Sequence, residues 1–434
     1  MASSFRDLMA QRIHRRREEF IAGLSHEPDS EVEDLLSTSI QAHWHPFHPK
    51  DIGNAYERPS SIAAVDGSRA IRALNSGADW IIAQALLLGP HGYRLPAVDT
   101  RLLRGEIERP DVDRCASLLM RSLELDLALQ FVNNGTGSML ILDGSLYADL
   151  PYLLYNLAIN GYEDLPLMVL EQYLQLFELC QKRDVLLLGI AKSTRSAVLG
   201  RALLSANHLS MSSSLQRPDA FQMLEADVQK ETPLSHAKNG YRQWHNKRSG
   251  MNGLPTDGEL LHRWTKDVGL TDPVLLGSAS FGHASAEMTT KLVSRAKQSL
   301  HEPHLLSNQP QMGEQLSSIH ERLLDAPAIG TFYIRLAPGD DVLRVDALAS
   351  TFGRNDLHLL EFTHTLVPAT TALPLVKHLL GEYGGLSVYH AALYVVDQEV
   401  RLHAETVDQV YFSILRHQLG QSIQYDRSTR RFLH

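Results

Sequence analysis

The sequence predicts a mixed α/β sheet with helices packed on its faces, and three observations predict it. Short apolar runs bounded by turn residues, in SIAAVDGSRAI, MLILDGSL and DVLLLGIAKSTRS, read as buried strands. Leucine- and alanine-rich stretches at 111–132 and 166–182 read as helices and alternate with those runs. The 434 residues are 44% hydrophobic and 21% charged, with 28 Gly and 19 Pro, which suits a large core and excludes a disordered, collagen-like or coiled-coil chain.

Taken in order, residues 4–24 read as a helix, with Phe5, Met9, Ile13 and Phe20 at helical spacing and Arg15, Arg16 and Arg17 elsewhere on its surface. AHWHPFHPKDIGNAYERPSS follows as an irregular stretch, so residues 1–55 are expected to form an N-terminal helical arm. SIAAVDGSRAI is a short strand ending in Asp-Gly-Ser, and GADWIIAQALLLGPHGY is its hairpin partner. The helix at 111–132 carries no Gly or Pro and is broken by NNGTGS. MLILDGSL is a second strand ending in Asp-Gly-Ser, and DVLLLGIAKSTRS is a third. Residues 206–257 have little pattern, EMTTKLVSRAKQSL reads as a helix, and a mostly helical and irregular insertion is expected at about 206–320 of a domain spanning 56–434. TFYIRLAPGDDVLRVDAL reads as two strands around a Pro-Gly-Asp turn, and helical patterns fall at about 372–381, 390–397 and 404–419.

The net charge of −9 excludes a uniformly basic nucleic-acid coat and leaves room for a local basic groove. Cys115 and Cys180 are the only cysteines, which excludes a disulfide framework and a cysteine-based zinc site and fits a reducing cytosol. No apolar stretch approaches the ~20 residues of a membrane helix, and the first residues lack the apolar core of a signal peptide. A soluble cytoplasmic protein without membrane partners is expected.

The paired Asp-Gly-Ser segments are the main chemical signal. An apolar strand delivers a carboxylate to the rim of a sheet, and the following glycine lets the backbone turn tightly. Asp66 and Asp143 on neighbouring strands, with a third carboxylate from a packed helix, would form an oxygen-rich pocket of the kind Mn²⁺ and Mg²⁺ prefer. Glu124 is the helix candidate and Asp126 its rival. The bland alternative is that Asp-Gly is turn chemistry alone. Lys192 follows the third strand and could reach a phosphate; it could equally be a surface lysine opening a helix. The segment from Thr232 to Thr256 has no acid, and Lys238, Arg242, Lys247 and Arg248 are interleaved there with Tyr241 and Trp244. That mixture suits phosphate contact with base stacking, or a plain solvated loop. His43, His45 and His48 form H-x-H-x-x-H with no matching carboxylate or cysteine pattern and read as loop residues. Gly135-Thr136-Gly137 reads as a helix stop, and Ser68 and Ser145 lack a nucleophile-elbow context.

The order of these motifs resembles the NurA family of DNA-end-processing nucleases. The matching pieces are SIAAVDGSRAI with Asp66, LMRSLELDLALQF with Glu124, MLILDGSL with Asp143, LLLGIAKSTRS with Lys192, VLRVDAL with Arg344, and VYHAALYVVDQEV with Tyr389. The resemblance covers roughly 60–205 and 325–415 in the family's order. It implies an RNase H-like core, Mn²⁺ or Mg²⁺ as cofactor, two ions in all, and phosphodiester hydrolysis. Asp66 would anchor both ions, Asp143 and Glu124 would complete one site, and Asp397 would serve the other. Lys192 and Tyr389 would join the catalytic group, and Arg344 would contact DNA. It further implies 5′ to 3′ exonuclease action on single- and double-stranded DNA, single-strand endonuclease action, a homodimer, and a HerA-type hexameric ATPase partner in DNA end resection and double-strand break repair. The chain departs from the family pattern at two places: His390 stands where Pro is usual, and Asp397 where a late His is usual. Two other readings compete, a non-catalytic DNA-binding adaptor of a translocase and an actin-like ATPase or sugar kinase. The intact Asp66, Glu124 and Asp143 disfavour the first, and the missing paired-glycine phosphate hairpins disfavour the second.

Overall fold

Strand β2, Ile62–Ala73, is the spine of the sheet. The computed structural model describes residues 5–24, 30–48, 50, 61–135, 137–154, 157–192, 196–203, 255–277, 312–359, 364–420 and 423–427. On one side β2 pairs antiparallel with β3, Ala78–Leu88, which pairs antiparallel with β4, Arg94–Arg104. On the other side it pairs in parallel with β5, Met139–Asp143, and β5 with β6, Leu186–Ala191. The two parallel connections carry helices α4, Arg109–Asn133, and α5, Leu165–Arg183. The mixed sheet flanked by helices that the sequence predicts is present.

The sheet continues past β6 through the antiparallel pair β10, Leu343–Leu348, and β9, Ile329–Arg335. Beyond β9 lie β7, Gly269–Thr271, and β1, Trp44–Pro46, at the edge, while β8, Val274–Leu276, also pairs β9 and then β11, His364–Leu366. The described strands number eleven and form one sheet.

Alternation along β2 explains how two cores share this sheet. Ala63 and Val65 point to a core built with α4 and α5, where Leu125, Ala128, Phe131, Tyr173 and Phe177 are buried. Ile62 and Ala64 point to a second core covered by α8, Leu373–Glu382, and α9, Ala391–Val400, through Val376, Leu379, Leu393 and Val396. Local signals set the helix ends. Pro110 and Pro166 open α4 and α5, and Asp184 closes α5 in the left-handed region at φ 55°. Helix α6, Asp257–Trp264, begins with a capping box between Thr256 and Glu259.

The structure corrects four expectations. The first Asp-Gly-Ser does not end its strand; β2 runs seven residues beyond Asp66, because β3 stays paired with it to Ala73. Of the stretch expected to be irregular, the start is regular, as the end of α3 and β1, while residues 49 and 51–60 lie outside the described residues; and the expected arm is divided: α1, Phe5–Arg15, has no buried residue, whereas α3, Ser30–His43, buries Leu36 and Ile40 and leads into β1. Helix α2, Arg17–Leu24, lies between them. The expected insertion supplies strands β7 and β8 as well as α6 and α7, Met312–Asp325. The pattern at 404–419 begins as a π-helix, Thr406–Tyr411, before α10, Phe412–Leu419. The helix expected in EMTTKLVSRAKQSL lies outside the described residues. None of the described helices is long and apolar enough to cross a membrane.

Candidate metal centre

Parity along the strands brings the carboxylates together. Asp66 follows Ile62 and Ala64 on the second-core face of β2, and Asp143 follows Met139 and Ile141 on the same face of β5. The β2–β5 register ends at Val65 and Leu142, so both aspartates stand where the parallel pairing stops. Helix α9 lies over this face on Leu393, Val396 and Val400, and presents Asp397 to them. One oxygen each of Asp66, Asp143 and Asp397 falls within 4.8 Å of the others.

Two further predicted residues close the group. Lys192, just past β6, places Nζ 3.0 Å from Asp143 Oδ2 and 4.8 Å from the centre of the Tyr389 ring. The Tyr389 hydroxyl is buried without a hydrogen bond of good geometry, and burial together with Asp143, Asp66 and Asp397 pushes its pKa up. Burial pushes Asp66 up to about 7; Asp143 and Asp397 add to this, while the Gly67 N–H, donating to Asp66 Oδ1 at 2.7 Å, and Lys192 oppose it.

Glu124 lies on the opposite face of the sheet, outside the group of three aspartates. It is buried on α4 beside Gly67, and a Cβ at Gly67 would lie 2.4 Å from Glu124 Oε1. The missing side chain lets a carboxylate press against the strand at the position next to Asp66. Arg121 Nη1 lies 2.6 Å from Glu124 Oε2 as an ion pair, although the angle falls short of a hydrogen bond. Burial raises Glu124 to about 7; Arg121 opposes the rise, and Asp66, Asp143 and Asp149 add to it. The rival Asp126 is exposed and accepts from Gln172 Nε2 at 2.5 Å, away from this group.

Asp397 is also paired on its own helix, where Arg401 Nη2 donates to its Oδ2 at 2.6 Å across one helical turn. His390 has a structural task. It is the N-cap residue of α9, and its Nε2 lies 3.0 Å from His378 Nε2 inside the second core.

Arg344 is not where a DNA contact requires it. It is buried on β10, with Nε donating to Asp346 Oδ1 at 2.8 Å and Nη1 to Ser196 Oγ at 3.3 Å. Asp346 in turn accepts from Ser145 Oγ and, at 3.0 Å, from the Leu146 N–H. Arg344 therefore braces the turn after Asp143 from within and corrects the expectation of a surface role. Lys238, Arg242, Trp244, Lys247 and Arg248 lie outside the described residues. His43 Nδ1 and His45 Nε2 lie 2.7 and 2.8 Å from the two oxygens of Asp272, so they tie α3 and β1 to the segment between β7 and β8. Arg121 escaped sequence reading, although its i,i+3 spacing from Glu124 on a helix was a signal for it.

The donor set fits a hard divalent cation. It consists of carboxylate oxygens gathered close together, and the raised pKa of Asp66 records its burial first and the charges of Asp143 and Asp397 after it, with Lys192 opposing them only in part.

Fold and site together define an α/β protein that gathers hard oxygen ligands where its parallel strands stop pairing. The NurA domain family model matches residues 60–374, and the chain belongs to the NurA family. Its fold is that of the NurA nuclease from Sulfolobus solfataricus, at a TM-score of 0.50 and 14% identity over 96% of this chain and 98% of that one. A second NurA structure aligns at a TM-score of 0.48 and 12% identity, covering 93% of this chain and 97% of that chain. A third, of NurA bound to dAMP and manganese, aligns at 0.46 and 12%, covering 92% and 96%. Among curated proteins no sequence match is found.

Proposed function

We propose that this protein is a Mn²⁺- or Mg²⁺-dependent deoxyribonuclease. The observation that carries the reading is the convergence of Asp66, Asp143 and Asp397 within 4.8 Å on a NurA domain. Asp66, Asp143 and Asp397 would hold one divalent cation, and Glu124, pressed against Gly67, would serve a second. When bound, such cations polarise a phosphodiester and activate water for its hydrolysis. The chain's own groups do the rest. Lys192, beside Asp143, neutralises charge that builds on the attacked phosphate. Tyr389 keeps its proton, because burial and three carboxylates disfavour the phenolate, so its hydroxyl has a proton to offer toward the same centre. Arg121 fixes Glu124 and donates to the Asp143 carbonyl at 3.4 Å, which ties helix α4 to the second Asp-Gly-Ser turn.

The finer activity follows the family. The enzyme works as a 5′ to 3′ exonuclease on single- and double-stranded DNA and as a single-strand endonuclease. It acts in the cytoplasm as a homodimer with a HerA-type hexameric ATPase, in end resection during double-strand break repair. The basic Lys238–Arg248 segment joins in holding the strand. End-labelled single-stranded DNA incubated with Mn²⁺, with Mg²⁺ and with EDTA tests the core of this reading. Cleavage with either cation and none in EDTA is the expected result. Cleavage that persists in EDTA, or none under any condition, rejects it.

A further inference from the structure

Strand β2 continues past the metal centre. Beyond Val65 the pairing with β5 has stopped, and among the described residues no strand pairs with that margin of β2 from Asp66 to Ala73, so β2, β3 and β4 continue as a three-stranded ribbon. The far end of that margin is closed by Tyr425, which bridges to Leu74. Between these limits lies a cleft of about 330 Å³, lined by Arg69, Arg72, Arg109, Asp113, Leu402 and Ala404. It adjoins the centre, because the Leu402 N–H donates to Ser68 Oγ at 2.9 Å, two residues from Asp66.

Three guanidiniums in one cleft stand out in a chain of net charge −9. Arg72 is fixed, with Nε and Nη2 donating to the two oxygens of Asp408 at 2.7 and 3.3 Å. The other two are held loosely. Arg69 lies 3.9 Å from Asp113, and Arg109 lies 3.5 Å from Asp79 and 3.6 Å from Asp113, all at partly exposed side chains. Long, solvated ion pairs of this kind contribute little and give way to a stronger acceptor. A phosphate diester offers paired oxygens that match a guanidinium fork. Arg69 stands three residues and Arg72 six residues along the strand from Asp66, about 10 and 20 Å at the rise of a β-strand.

We propose that this cleft binds the phosphodiester backbone of the nucleic-acid strand a few nucleotides from the metal centre. The identity of the ligand rests on the nuclease reading above. An acidic centre repels a polyanion until cations fill it, so binding strength must come from elsewhere on the strand's path. The cleft supplies it and makes a longer strand a better substrate than a short one.

Binding of a fluorescent 20-nucleotide oligothymidylate in EDTA, followed across salt concentrations, tests this without cleavage. Arg69→Ala with Arg109→Ala should weaken binding about tenfold or more, and should reduce the slope of log K against log salt by about 1.4, or ~0.7 for each lost phosphate contact. Asp113→Asn should act in the opposite direction and tighten binding, because it removes the competing carboxylate. With Mn²⁺, the preference of the wild type for the 20-mer over a dinucleotide, read in KM, should shrink in the double arginine variant. Wild-type affinity and slope in that variant, or no tightening by Asp113→Asn, overturns the cleft. Failure of the nuclease reading is seen separately, as wild-type protein that binds the oligonucleotide and cuts neither substrate with Mn²⁺.

Discussion

The tripeptide Asp-Gly-Ser occurs twice in the sheet, at 66–68 and at 143–145, and the two copies are built differently. In the first, the chain stays extended through the motif and remains in register with Leu86, Ala85 and Gln84 of β3. Its glycine is needed for space, since a Cβ there would meet Glu124 Oε1 at 2.4 Å and Met120 Cγ at 2.6 Å. In the second, Asp143 is the last residue of β5 and Gly144 turns the chain at φ 103°. That glycine is needed for its backbone. The serines diverge as well: Ser68 accepts from Leu402 N–H, and Ser145 donates to the buried Asp346. Only the aspartates share a task. One motif serves two local structures because neighbouring strands, not the three residues, decide whether the chain continues or turns.

The largest effect should fall on what the copies share. Asp66→Ala and Asp143→Ala should each reduce Mn²⁺-supported DNA cleavage by about 10²–10³-fold or more, with the fold retained by circular dichroism. Near-wild-type cleavage by either would break the equivalence of the two aspartates and the metal assignment with it.

The glycines should separate the copies. Gly144→Ala forces a side chain into the left-handed region and should cost about 1–3 kcal/mol of stability whatever surrounds it. Gly67→Ala keeps an ordinary extended backbone but overpacks Glu124 and Met120, at a similar cost of about 1–3 kcal/mol. Denaturant unfolding of double mutants tells the two apart. Gly67→Ala should be less costly in a Met120→Ala background, with a coupling of about 0.5 kcal/mol or more, whereas Gly144→Ala should add independently. Additive behaviour at Gly67 would mean that its glycine serves the backbone after all.

How far this was legible in the sequence follows the same division. Asp66 and Asp143 stand out because an apolar run ending on a carboxylate is visible in three or four residues. Helices α4 and α5 were visible because their period runs over many turns. The continuation of β2 was not, because Arg69 and Arg72 interrupt its apolar run and the strand is held by β3 rather than by burial on both faces. Strand β4 was missed for the same reason: it is an edge strand with Pro96 inside it, and its side chains are exposed at every second position over most of its length. Strands β1, β7 and β8 have three residues each, too few to show a period. Asp397 came from the resemblance and not from local pattern, and only the packing of α9 on the second core brings it to Asp66. The DNA contact of Arg344 came from the resemblance and not from local pattern; Asp346, two positions on and therefore on the same face, was the sign that the charge could be satisfied inside.

A smaller difference separates the two aspartates without cations. Asp143 is paired with Lys192, whereas Asp66 is buried among carboxylates and raised to about 7. An unfolded aspartate titrates near ~3.9. Between these values the folded protein keeps a proton at Asp66 that the unfolded chain has lost, so cation-free stability should fall as pH rises from about 4 to about 7 and stay low above it. Asp66→Asn should remove that loss and raise the midpoint of thermal unfolding in EDTA at pH 8. Asp143→Asn should not, since it frees Lys192 from its partner. With Mn²⁺ present the wild type should recover stability that Asp66→Asn does not gain. A lower midpoint for Asp66→Asn in EDTA would show that its carboxylate stabilises the empty centre.

The serines should give the smallest effects, and their order is fixed by what each bond leaves behind. Ser145→Ala removes a donor from Asp346, a fully buried carboxylate that retains Arg344 and the Leu146 N–H, and it also removes the acceptor of the Tyr147 and Ala148 N–H groups. A bond to a charged group is worth about 1.5–3 kcal/mol; the donors left to Asp346 moderate that loss, and the two orphaned N–H groups add to it. Ser68→Ala removes a neutral acceptor from the Leu402 N–H at a partly exposed position, where water can replace it, and should cost about 0.5–1 kcal/mol. Chemical denaturation of the two variants compares them directly. The functional split should be wider than the stability split, because Ser145 lies in the turn that aims Asp143, while Ser68 lies in a strand already held by β3. Raising the Mn²⁺ concentration should therefore restore cleavage by Ser145→Ala and make little difference to Ser68→Ala. The reverse pattern would mean that the second turn is rigid without its link to Asp346, and that the aim of Asp143 is set by Gly144 and β6 alone.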